Sequence, residues 1–245
     1  MHSFSRTTGI SVVVANMVGT GVFTSLGFQL LGIQSPFVLM MLWLVGGLTA
    51  LCGALTYAEL GANLPRSGGE YNFLSRLYHP CAGFISGWVS ATVGFAAPVA
   101  LAAMTFAAYL SAVFPELNRT WAAVSLVLIL TLAHCLSRRA SSSVQQIFTA
   151  LKLLLILLFC AVILIWGNSP QSLNFAPQAG DGQLLFSGAF AVALIYVNYA
   201  YTGWNAATYV TGELENPQRN LPVVLAVGTA LVLLLYLSLI HISEP

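Results

Sequence analysis

Read from the first residue, the chain alternates long apolar runs with short polar joints. Seven runs stand out, at about 9–31, 37–60, 83–114, 121–136, 147–166, 184–210 and 221–240. A helix needs roughly 20 apolar residues to cross the ~30 Å hydrocarbon core of a bilayer, so these runs predict seven membrane spans. Barrel strands would alternate apolar and polar positions, whereas a stretch such as 151–165 is apolar almost all the way round. The expected fold is all-α: a polytopic membrane helical bundle.

Composition strengthens that expectation. Of the 245 residues, 58% are hydrophobic and only 6% charged, against about 25% charged in an ordinary water-soluble domain. So few charges cannot cover an aqueous surface without leaving large apolar patches, and the lipid bilayer is the natural solvent. The net charge of +1 comes with no Lys/Arg-rich stretch, which excludes a nucleic-acid partner. Cys52, Cys81, Cys135 and Cys160 are scattered singly and read as small buried hydrophobes. No metal-ligand spacing and no cofactor motif is present.

With the N-terminus in the cytoplasm, Arg6, Arg66, Arg76, Arg138, Arg139 and Arg219 all fall on the inner side, and only Arg119 falls outside. The positive-inside rule selects that orientation. The first span has no small-residue cleavage site behind it and is expected to be retained.

Two of the spans carry an interruption. Gly19-Thr20-Gly21 sits near the middle of the first, and each glycine weakens a helix interior by about 1 kcal/mol relative to alanine. Ala200-Tyr201-Thr202-Gly203-Trp204 interrupts the sixth, in a stretch that also holds Asn198, Asn205 and Thr208. Glycine also serves close packing in membrane helices, which is the competing explanation for either site alone. A broken membrane helix exposes peptide groups that must find partners or face a water-filled cavity. N–H groups at a half-helix N-terminus suit a carboxylate, and carbonyls at a half-helix C-terminus suit an ammonium. An α-amino acid presents both.

Three segments, taken together, resemble the amino acid, polyamine and organocation (APC) transporter superfamily, closest to bacterial amino-acid permeases and L-type amino-acid transporters. They are Val18-Gly19-Thr20-Gly21-Val22-Phe23; Glu59-Leu60 through Pro65-Arg66-Ser67-Gly68-Gly69-Glu70-Tyr71; and Tyr199-Ala200-Tyr201-Thr202-Gly203-Trp204-Asn205 running on to Glu213, Asn216-Pro217 and Arg219-Asn220-Leu221-Pro222. The resemblance implies a five-plus-five inverted-repeat fold, with residues 1–166 as the first repeat and 184–240 as the start of the second. Spans one and six would rock within a bundle against a scaffold containing spans three and four.

It further implies that the backbone of Gly19, Thr20 and Gly21 holds a substrate carboxylate, and that carbonyls from Tyr199 through Ala200 and Tyr201 to Thr202 receive its ammonium. Gly203 marks the break beside them. Tyr199 would be the outer lid, and Trp204 either a pocket or a packing residue. In the loop after span two, Arg66 and Glu70 would pair at an inner gate or stand in solvent. The implied location is a bacterial plasma (inner) membrane.

Lys152 lies about five residues inside the fifth span, roughly 7 Å deep at 1.5 Å per residue. It would either snorkel to the interface or serve coupling, since a lysine on this span in proton-coupled relatives resembles it in placement. A lysine that changes protonation with exposure would bias inward and outward states. Proton-coupled symport and amino-acid exchange both stay open.

The resemblance also has departures. The outer loop 115–120 has no cysteine, so no covalent heavy-chain subunit is expected, and Gly212 stands where the family often has an acidic residue before Glu213. The chain ends after span seven, where the family continues, and the segment 241–245 reads as a tail foreign to it. Transport by the fragment alone is not expected. A permease-like sensor that binds without transporting is the alternative function. An enzyme is not expected, because convergent catalytic groups are missing and His134 stands alone.

Overall fold

Serine and proline set where several helices begin. Ser5 caps the first by accepting the Thr8 N–H, Ser35 the third with Pro36 behind it, and Ser187 the ninth. A side-chain oxygen at that position satisfies one of the donors that a helix start leaves over, and proline there loses no hydrogen bond. The computed structural model describes residues 4–19, 21–136, 147–148, 150–152, 154–155, 157–158, 161–162 and 176–243. Thr20, Arg138, Arg139, Cys160 and several other residues of the fifth span lie outside the described residues.

The named helices are α1 (Arg6–Met17), α2 (Gly21–Leu30), α3 (Pro36–Asn63), α4 (Gly69–Leu77), α5 (Pro80–Val89), α6 (Ala96–Val113), α7 (Arg119–Leu136), α8 (Asp181–Leu185), α9 (Gly188–Ala200) and α10 (Pro217–Ser243). A π-helical segment, Ser90–Phe95, joins α5 to α6, and a 3₁₀ segment, Ala206–Glu213, follows α9. Among the described residues, three helical stretches are long and apolar enough to cross a membrane by themselves: Pro36–Asn63, Pro80–Val113 and Pro217–Ile240. The first and sixth runs are each split in two, as their glycines predict. Backbone helix continues through Ser243.

Two compact units result, Met1–Phe73 with Leu158–Pro245, and Leu74–Leu157. The division cuts across the sequence-defined repeats, because spans one and two pack with six and seven. In the smaller unit α6 lies along α7, and Arg119 Nε donates to Ser111 Oγ at 2.8 Å where the chain turns between them.

The larger unit is organised by small residues on α3. Gly46, Gly47, Ala50, Ala54, Ala58 and Gly61 are buried on one face. A methyl group added at Gly47 would stand 2.1 Å from Leu233, one at Gly61 2.3 Å from Leu221, and one at Gly46 2.4 Å from Val197. Between membrane helices there is little hydrophobic driving force, so close van der Waals approach over small residues takes its place. The same device works between α1 and α10, where Val13 packs on Gly228 and Val224 on Gly9.

Gly203 has φ +105°, and a Cβ there would lie 2.8 Å from the Asn16 carbonyl carbon. The substitution Gly203→Ala therefore meets both backbone strain and a clash against main chain. It is expected to destabilise the protein by roughly 1–3 kcal/mol or more, read as a lower melting temperature in detergent, whereas Gly182→Ala, with open space around it, leaves the melt unchanged.

Candidate functional site

The interruption in span one begins where α1 ends at Met17. Val18 turns to an extended conformation (ψ 97°) while its N–H still donates to Val14 O at 2.9 Å. A Cβ built on Gly19 would touch nothing within 4 Å. After Thr20, the new helix starts at Gly21, so its positive end lies inside the span.

The interruption in span six follows the same plan. Helix α9 closes at Ala200, with Tyr201 N–H donating to Val197 O at 3.0 Å and Thr202 N–H to Tyr199 O at 3.1 Å. Gly203 then reverses the backbone at positive φ, and a tighter 3₁₀ segment carries the chain on to Glu213. The two interruptions interlock. A Cβ on Gly21 would lie 3.1 Å from Ala200 Cα, and one on Gly203 would strike the main chain of Asn16. Each break is close-packed against the other helix, which only glycine permits at these points.

Around this crossing the polar groups are taken up in a definite way. Tyr199 O accepts from both the N–H and the hydroxyl of Thr202, the latter at 2.7 Å. The Tyr201 side chain is buried, its hydroxyl donating to Trp43 O at 3.2 Å, and Trp43 Nε1 donates to Gln29 Oε1 at 2.8 Å. Tyr199 is 42% exposed. Between α2 and α9, Tyr196 stacks on Phe28 at 5.7 Å, beside an apolar cavity of about 280 Å³ that Gln29, Ile33 and Val192 also line. Trp204 lies on span two, edge-on to Tyr57 at 4.9 Å and over Gly53.

The loop after span two is placed differently from its expected pairing. Glu70 is turned to span six: Asn205 Nδ2 donates to one carboxylate oxygen at 2.5 Å and the Tyr209 hydroxyl to the other at 2.6 Å. Ser67 Oγ accepts the Gly212 N–H at 2.8 Å, and Gly69, at φ +50°, lies so near Tyr209 that a Cβ would stand 2.7 Å from its ring. Arg66 contributes its backbone carbonyl, which accepts from Asn72 Nδ2. The physical reason is reach: the glycine pair brings the first turn of α4 against the 3₁₀ segment, so the carboxylate meets two neutral donors there. Glu70 and Tyr71 thus begin a short helix where the sequence suggested only a loop.

Close by, Phe4 forms an isolated parallel bridge with Leu214, and Arg6 Nε donates to Asn220 Oδ1 at 2.7 Å. Arg6, Arg66 and Arg219 therefore belong to the same end of this unit as the 3₁₀ segment. Lys152 is half-buried in helical backbone of the smaller unit. The signal that sequence reading missed most clearly is Tyr236, an apolar-looking position in span seven whose hydroxyl donates to Met17 O at 2.8 Å and Ala200 O at 3.3 Å.

A family model described as amino acid permease matches residues 4–242. The b(0,+)-type amino acid transporter 1 of Homo sapiens is 34% identical over 238 residues, which cover 94% of this chain and 48% of that protein. The large neutral amino acids transporter small subunit 2 of Oryctolagus cuniculus is 35% identical over 234 residues, covering 92% of this chain and 44% of that protein. The chain thus spans about half the length of the curated relatives it matches. With the match running over nearly every residue and with helices apolar enough to cross a bilayer, the chain belongs to the amino acid permease family of integral membrane proteins.

Proposed function

We propose that the whole protein is a secondary amino-acid carrier working by alternating access, and that this segment supplies its grip on the substrate backbone. The observation that carries the reading is the interlocking of two interrupted spans at Asn16 to Gly21 and Ala200 to Gly203. A half-helix N-terminus and a half-helix C-terminus then meet inside one membrane protein, an arrangement that complements a zwitterion. In this reading Gly19, Thr20 and Gly21 hold the carboxylate, and carbonyls from Tyr199 to Thr202 receive the ammonium. Tyr199 is the outer lid, and Trp204 packs against span two. The names of the matched relatives, which specify amino acids, support the substrate class.

The five-plus-five repeat belongs to this proposal, and so does the rocking of spans one and six, which the grouping of spans one, two, six and seven in one unit supports. The N-terminus is placed in the cytoplasm on the strength of the arginines gathered at one end. The relatives above are mammalian, so the reading takes a plasma membrane without tying it to a bacterial cell. The cysteine-free loop 115–120 supports a carrier with no covalent heavy-chain link through that loop.

Uptake of labelled neutral amino acids by the full-length protein in proteoliposomes tests the reading. Accumulation driven by internal amino acid or by a proton gradient is the expected result; no uptake under either condition removes it, and binding without uptake would favour a sensor. For coupling, Lys152→Ala is expected to abolish proton-driven accumulation while exchange persists, and equal loss of both would sink a coupling role for Lys152.

Glu70 acts at the inner gate in this proposal by holding the 3₁₀ half of span six. Replacing it with Gln removes the charge from two hydrogen bonds, each worth about 1.5–3 kcal/mol when one partner is charged. Glu70→Gln is expected to lower the melting temperature and slow uptake, with Glu70→Asp falling between the two in both measurements.

A further inference from the structure

Tyr236 lies on α10, in a run where the sequence shows no special chemistry, and only 1% of its surface is exposed. Its ring stands edge-on to Trp43 at 5.5 Å and tilted to Tyr201 at 5.1 Å. Packing alone would be served equally by phenylalanine. The hydroxyl does more: it is shared between the carbonyls of Met17 and Ala200, at 2.8 and 3.3 Å.

Met17 and Ala200 are the last residues of α1 and α9. Carbonyls at a helix C-terminus have no donor within their own helix, and in a water-poor interior each unmet one is costly. One phenol satisfies the end of each interrupted helix at once. Because the ring is wedged between Trp43 and Tyr201, the hydroxyl has little freedom, and the two helix ends are held at a fixed separation.

We infer that Tyr236 is a positioning residue for the substrate site, a tether that keeps the ends of α1 and α9 in register so that neighbouring peptide groups meet a zwitterion as a preset pair. This rests on the amino-acid carrier reading for its substrate and on geometry alone for the tether. Tyr236→Phe preserves the ring and deletes the hydroxyl. In full-length protein, KM for the transported amino acid is expected to rise about tenfold, with kcat changed less than about threefold, the size of effect that a lost buried hydrogen bond gives.

Hydrogen exchange in nanodiscs reads the tether without reference to transport. Tyr236→Phe should speed amide exchange at both 18–22 and 201–204 together, while Trp43→Phe, which disturbs the ring packing and keeps the hydroxyl, should lower the melting temperature without that paired change. Exchange unaltered, or altered at one break only, overturns the tether. Paired exchange with KM unchanged overturns the substrate role, and failure of Tyr236→Phe to fold overturns both, since the hydroxyl would then be a requirement of stability. Paired exchange in a protein that takes up no amino acid keeps the tether and discards the carrier reading instead.

Discussion

A membrane-spanning backbone has to satisfy its own hydrogen bonds, because hydrocarbon offers none. Everything distinctive in this chain follows from two places where that rule is set aside inside a span. Met17 and Ala200 end their helices early, and the exposed peptide groups are then met by the neighbouring helix, by Thr202, and by the Tyr236 hydroxyl. The breaks are tolerated because they are shared: each is seated on the main chain of the other, with Gly21 on Ala200 and Gly203 on Asn16.

Such seating demands that the surrounding helices come close. The small residues on α3 bring Leu233, Leu221 and Val197 to contact, and they leave room for the aromatic group of Trp43, Tyr201 and Tyr236 beside the crossing. Space given up by glycine in one helix is filled by a large side chain from another. Backbone geometry at the breaks and close packing thus depend on the same positions, since a bulkier residue at Gly46 or Gly47 would displace Val197 or Tyr201.

Much of this was readable from residue order. The apolar runs located the spans, and Gly19, Gly21 and Gly203 located the interruptions, because glycine acts through the local backbone and leaves its mark at the position itself. Tyr236 was not readable, since a tyrosine within an apolar run carries no local sign of which distant carbonyl it will meet. The partner of Glu70 was misjudged for a related reason. Proximity in sequence suggested Arg66, but the positive φ values at Gly68 and Gly69 swing the carboxylate to Asn205 and Tyr209, more than a hundred residues away.

The bridge between Phe4 and Leu214, with Arg6 on Asn220, joins the leading end of the first helix to the elbow between the sixth and seventh spans. These two segments are therefore spliced together: a displacement of either is handed to its partner through backbone hydrogen bonds and a guanidinium rather than through loose side-chain contact. An affinity tag or fluorescent fusion placed ahead of Phe4 would load that splice directly.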